Sequence, residues 1–200
     1  MKVVIVIVIV LIVVFLVFQI YTTMSVNKTE TQPYKVIRVE KDFEIRYYPA
    51  ATMAMIASAS TSYRDLGNTG FRTLAKYIFG GNSEKKQIAM TSPVHMDIGD
   101  TQSTMSFVLP SEYTPSTVPT PLDSGISIIT SAPEYVAVMR FSGFANANSI
   151  QLHINHLRRA LQDKGLSFYG DFRFLGYNPP YQLFGRRNEV IVALKSENFN

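Results

Sequence analysis

From Val3 to Phe18 the chain is built only from Val, Ile, Leu and Phe. A run of that length is about what an α-helix needs to cross a hydrocarbon core of roughly 30 Å. In lipid the backbone polar groups must bond to one another, so the stretch spans as a helix even though Val and Ile favour strands in water. A cleaved signal peptide is the rival reading, with Lys2 as its charged start. The apolar run is long for that role, and "QIYTTMSVN" (19–27) offers no small-x-small cleavage site. The absence of Cys excludes a lipoprotein anchor. Residues 1–21 are therefore expected to be an uncleaved, single-pass transmembrane anchor. Lys2 and the amino terminus place the short tip in the cytoplasm and the following domain on the opposite side of the membrane.

The remainder divides into a polar tether (22–33), one folded domain (34–195) and a short tail (196–200). With 46% hydrophobic residues in the 200-residue chain, one substantial core is attainable and a second hardly so. Nineteen Lys and Arg stand against fifteen Asp and Glu. That surplus is small and scattered without a stripe, which argues against a nucleic-acid partner. Zero Cys removes disulfides, thiolate nucleophiles and thiolate metal sites.

The domain opens with strands. "YKVIRVEKDFEIRYYP" (34–49) reads as two strands around a turn at Lys41-Asp42, and "TMAMIASAS" (52–60) as a third. Ser62 to Asp65 fits a capping box opening a helix with Leu66, Phe71, Leu74, Ala75 and Ile78 on one face. Gly67 and Gly70 within it imply a close neighbour or irregular first turns. "QIAMTSPVHMDI" and "STMSFVLP" give two more strands, followed by a Pro-rich loop and the pair "ISIIT" and "EYVAVMRFSG". A second amphipathic helix starts near Asn148-Ser149, with Ile150, Ile154, Leu157 and Leu161 inward and Gly165 at its end. "FRFLGYNPP" and "NEVIVAL" close the chain. Two similar halves rich in hairpins, each with one helix, point to an α+β fold with mainly antiparallel sheet, curved or barrel-like.

Chemistry is sparse. His153 and His156 flank the buried stripe of the second helix with no carboxylate at metal-ligand spacing, and His95 reads as an ordinary surface or edge residue. No nucleophile elbow, phosphate loop or zinc motif occurs, so no enzyme is expected. What remains is a surface. The first helix carries Phe71, Leu74, Ala75 and Ile78, with Arg72 and Lys76 at its margins. The C-terminal segment adds Tyr177, Tyr181 and Phe184 beside Arg186 and Arg187. Flat apolar walls rimmed by cations suit a planar amphiphile bearing carboxylates. The plainer alternative makes the helix stripe core and the arginines surface.

At these residues the chain resembles the SOUL haem-binding family, through an ordered series of blocks. They are "FEIRYYP" (43–49), "GFRTLAKYIFGGN" (70–82), "QIAMTSPV" (87–94), "FVLP" (107–110), "PTPLD" (119–123), "VAVMRFSG" (136–143) and "GYNPPYQLFGRRNEV" (176–190). The resemblance implies a distorted antiparallel β-barrel of two βαββ-like halves flanked by two helices. It also implies reversible, non-covalent binding of haem or another tetrapyrrole, with neither catalytic residues nor an intrinsic metal. The ligand groove it implies is formed by Asn68, Phe71, Leu74, Ala75 and Lys76 of the first helix and by Tyr181, Gln182 and Leu183 of the loop before the last strand. Asn68 and Gln182 stand where some members carry cations, and Tyr47 where some carry a histidine proposed as iron ligand. The expected function is a membrane-tethered tetrapyrrole carrier or buffer. The alternative is an accessory subunit of a membrane complex that uses the same surface to dock protein. In the last block, "YQL" is expected to form the groove's lip, while Arg187 and Glu189 pair structurally.

Overall fold

The computed structural model describes residues 1–60, 62–99 and 102–195; the tail 196–200 lies outside them. The first helix, α1 (Lys2–Lys28), does not end where the polar residues begin. It continues through the first seven residues of the stretch read as an irregular tether. Thr22 and Thr23 both donate their hydroxyls to the Gln19 carbonyl, and Gln19 and Thr22 are buried against the domain. Tertiary contact supports helix where local pattern gives no signal. The chain then forms a two-residue strand, β1 (Glu30–Thr31), which pairs in parallel with β5 (Thr91–Ser92).

Among the described residues, nine further strands form one antiparallel sheet. In chain order they are β2 (Lys35–Val39), β3 (Glu44–Tyr48), β4 (Thr52–Ser58), β6 (Val94–Ile98), β7 (Ser103–Val108), β8 (Ile126–Thr130), β9 (Glu134–Phe141), β10 (Phe168–Gly176) and β11 (Asn188–Leu194). Their order across the sheet is β2-β3-β9-β11-β10-β6-β7-β4-β8. The sheet is open, a curved cup rather than a closed cylinder, and it contains the two halves expected. In each half a strand leads to a helix and two more strands: β4, then β6 and β7; β9, then β10 and β11. The halves also exchange neighbours. β3 directly precedes β4 but pairs with β9, and β8 directly precedes β9 but pairs with β4.

Period-two alternation sorts each strand onto two faces. Ile45, Ala54, Met105, Phe107, Ala137, Met139, Phe172, Phe174, Val190 and Val192 point to the face covered by helices. On α4 (Ala147–Asp163), Ile150, Ile154, Leu157 and Leu161 are all buried, as their spacing requires. The cap lies two residues earlier than the sequence suggests. Asn146 accepts from the Ser149 amide while the Ser149 hydroxyl accepts from the Asn146 amide, a reciprocal capping box.

The other helical segment is less regular. Ser62 caps α2 (Tyr63–Asp65), a π-helical turn comes next at Leu66–Gly70, and α3 (Phe71–Ile78) completes it. The wide turn has i→i+5 hydrogen bonding. Leu66, Gly70, Leu74, Tyr77 and Ile78 face the sheet, and Phe71, five residues past Leu66, stands partly in solvent instead of joining the buried stripe. Gly70 belongs to this arrangement: a Cβ there would lie 3.4 Å from Met105 and from Leu66.

Candidate functional site

The burial of this helical segment decides which of the proposed helix residues can meet a ligand. Asn68, Phe71 and Lys76 are exposed and Ala75 is half-buried, but Leu74 is wholly buried and packs in the core. The Phe71 ring, 37% exposed, stands edge-on to Phe107 at 5.3 Å. Phe79, just beyond α3, adds a second aromatic that is 63% exposed. Phe79 is easily missed in the sequence because "FGGN" marks a helix stop; its i+4 and i+8 spacing from Ala75 and Phe71 is the signal that locates it.

The loop residues divide in the same way. Tyr181 and Leu183 are exposed, whereas Gln182 is buried. The Gln182 amide donates to the Phe184 carbonyl and accepts from the Asn178 side chain, so it braces the loop from within. Arg186 is committed as well: it donates to the carbonyls of Pro179, Gln182 and Asn178 and lies over the Phe144 ring at 4.5 Å. Burial pulls its pKa below the ordinary arginine value. Helix and loop share one end of the sheet. Phe107, beneath Phe71, pairs with Val94, and Val94 pairs with Gly176, where the loop begins. Two strand spacings, about 10 Å, separate them along that row.

Other candidates sit elsewhere. Tyr47 packs on Tyr135, six residues along β9 from Phe141 and so roughly 20 Å from the row that carries the loop; the fold does not bring it to the helix or the loop. His95 is buried rather than superficial. Its Nε2 bonds the Gln32 side chain at 2.8 Å, and burial, reinforced by the Arg173 charge, holds its pKa down at about 3. His153 stacks on Phe141 at 4.0 Å and donates from Nδ1 to the Ser149 carbonyl. Among the described residues no cluster of His, Asp and Glu is arranged to hold a metal ion.

Behind the loop lies its frame. Glu189, fully buried, accepts from both terminal nitrogens of Arg46 at 3.0 and 3.2 Å, from Arg187 at 2.7 and 2.9 Å and from the Tyr177 hydroxyl at 2.8 Å. Arg46 also lies over the Tyr34 ring at 4.2 Å, and Arg187 over Tyr177 at 3.9 Å. Burial raises the Tyr177 pKa, and the Glu189 charge adds to the rise. For Arg46, burial alone would lower the pKa, but Glu189 outweighs it and the net direction is upward.

Two recesses of about 170 Å³ occur on other parts of the surface, one near Glu30, Pro33 and Pro110, the other near His95, Met53 and Arg173. Neither includes a residue of the helix or loop sets, and both are small beside the 300–1,000 Å³ typical of small-molecule sites.

These features define an α+β class: two interlocked halves and two covering helices, without an assembled metal centre among the described residues. The chain belongs to the SOUL heme-binding protein family, whose model matches residues 29–193. It is 33% identical over 162 residues to human Heme-binding protein 2, covering 78% of this chain and 79% of that one. It is 30% identical over 166 residues to Heme-binding protein 1 of Xenopus laevis, covering 78% and 86%. Among solved structures, the C-terminal domain of EcmrR shares the fold, with a TM-score of 0.60 at 6% identity over 81% of this chain and 98% of that one. A Listeria innocua protein described as a hydrolase superposes with a TM-score of 0.53 at 9% identity, covering 80% and 94%. At such identities the likeness concerns fold alone.

Proposed function

We propose that this protein holds haem or a related tetrapyrrole reversibly and non-covalently beside a membrane, as a carrier or buffer, with α1 as a retained anchor. The observation that carries the proposal is the outward face of α3. Phe71 and Phe79 present apolar surface in a family of haem-binding proteins, and Lys76 lies beside them to meet a carboxylate. At ~25 cal/mol per Å², covering a few hundred Å² of macrocycle contributes several kcal/mol, and association costs of about 4 kcal/mol or more offset much of it. Apolar burial on that balance gives reversible rather than permanent binding.

The residues fit a macrocycle held by its faces and edges. A bound haem would bring the ligand and redox chemistry of its own iron; the chain's share is to cover one face and position the carboxylates. His95 is sealed in the sheet and His153 is committed to Phe141 and Ser149, so neither is offered to the iron. Metal-free protoporphyrin should consequently bind about as well as hemin. Titration of the full-length chain in detergent with both compounds tests this, and a shifted Soret band at tens of micromolar is the expected result with each. A response to hemin alone would transfer the role to an iron ligand. No response to either, together with co-purification in a stable membrane assembly, would replace the proposal with the accessory-subunit reading.

A further inference from the structure

The loop that forms the groove's lip is fastened to the anchor helix. Gln19 is the first polar residue after the apolar run, and its side chain is 5% exposed. Its amide nitrogen donates to the Tyr181 carbonyl at 3.2 Å, and its amide oxygen accepts from the Leu183 backbone N–H at 3.0 Å. One residue earlier, Phe18 places its ring 6.2 Å from that of Tyr181. The end of the apolar helix and the lip of the groove are one contact.

Helix geometry then sets a depth. At 1.5 Å per residue, the turns from Lys2 to Phe18 cover about 25 Å, somewhat less than the roughly 30 Å of a hydrocarbon core. The helix itself runs on to Lys28, but Gln19 and Thr22 are packed against the domain, whose charged surface stays out of hydrocarbon, so Gln19 lies at the far boundary. A polar side chain at that level needs its hydrogen bonds met, and the loop backbone meets them. Whatever is bonded to Gln19 lies at the same level.

The loop's surface suits that position. Tyr181 is 56% and Phe184 63% exposed, with Leu183 and Phe144 also outward. Aromatic residues concentrate at the level of lipid headgroups. The stretch from Gly176 to Asn188 contains two arginines and no carboxylate, so nothing in it is repelled by phosphate.

We propose that the lip, through Tyr181, Leu183, Phe184 and the neighbouring Phe144, is inserted in the headgroup layer of the bilayer that α1 spans, and that the groove exchanges its tetrapyrrole with that bilayer rather than with bulk water. The proposal rests on the reading of α1 as a retained span and deepens the function assigned above.

The chain contains no Trp, which makes a single introduced indole a clean reporter. The full-length protein is reconstituted in phosphatidylcholine vesicles as Phe184→Trp or, for comparison, as Tyr169→Trp, which lies at the other end of β10. Brominated lipids should quench the first at least twofold and leave the second unchanged, while aqueous acrylamide should show the reverse preference. Equal acrylamide quenching of the two, or protection of Phe184→Trp from both quenchers, would overturn the membrane placement. A second measurement concerns exchange. Phe144→Asp with Phe184→Asp should slow uptake of hemin preloaded in the vesicles by about tenfold more than it changes equilibrium binding measured in detergent; uptake that merely follows the detergent affinity would overturn the loading route. Loss of the tetrapyrrole proposal would instead show as no hemin binding in detergent by the unaltered chain, whatever the quenching reports.

Discussion

Glu189 accepts two hydrogen bonds from Arg46 although 143 positions separate them in the chain. One residue belongs to "FEIRYYP" and the other to "GRRNEV", so two distant blocks of the family pattern meet in one ion pair. Arg46 sits on β3 and Glu189 on β11, with β9 between them. The contact thus bridges three strands, and Arg187 closes it from the loop side. The double arginine of the loop divides its work: Arg186 holds the loop carbonyls and Arg187 holds the carboxylate.

Glu189→Ala should be severely destabilising. It leaves the buried Arg46 guanidinium, the half-buried Arg187 and the Tyr177 hydroxyl without their shared acceptor, and breaking a buried pair from one side costs about 3–5 kcal/mol. Urea unfolding of the full chain in detergent, compared with the unaltered protein, measures the loss. A change below about 1 kcal/mol would remove Glu189 from its structural role.

His95 makes stability depend on pH. Its pKa is depressed from the ordinary value near 6.5 to about 3 in the fold, so between those values the unfolded chain takes up the proton and the folded chain does not. The contribution is complete above pH ~6.5 and falls as pH drops toward 3, at up to ~1.4 kcal/mol per unit. His95→Gln can keep a bond to Gln32 without titrating. Unfolding curves across this window should therefore be flatter for the variant; parallel curves would refute the assignment.

The two helices should respond to different losses. Asn146→Ala removes the capping oxygen of α4 and should cost about 1 kcal/mol. Leu157→Ala empties a wholly buried site and should cost about 2–5 kcal/mol. Thermal melts of both variants rank them, and a larger effect for the cap would contradict the packing described for α4.

On the groove face the order of effects reverses. Phe71→Ala and Lys76→Glu should weaken hemin binding severalfold in a Soret titration while changing thermal stability little, because both side chains reach solvent. Leu74→Ala should do the opposite, lowering stability and altering affinity only through the fold. Equal affinities for all three variants would move the ligand off α3.

The readable parts of the sequence are those with a regular period. Ile150, Ile154, Leu157 and Leu161 announce the buried side of α4, and the strand pair around Lys41-Asp42 forms as β2 and β3. Phe71 falls off the buried line that Leu66, Gly70, Leu74 and Ile78 follow, and nothing in "LGNTG" states whether its glycines will tighten or widen the turn. Gln182 occupies an expected ligand position, yet its amide is turned into the loop by Asn178 and Phe184, partners that spacing alone does not disclose. Gln19 is the hardest to foresee. Its partners are more than 160 positions away, and locally it is only the end of an apolar run.

The exchange of neighbours between the halves also has a consequence during synthesis. β3 leaves the ribosome long before β9, the strand beside it in the sheet. At about 5–20 residues per second, the intervening chain takes roughly 4–17 s to make. For that interval "FEIRYY" has only β2 to pair with and holds an open edge, and Arg46 has no Glu189. The early half cannot be finished as a separate unit. The nascent chain must shelter that edge until the last strands arrive.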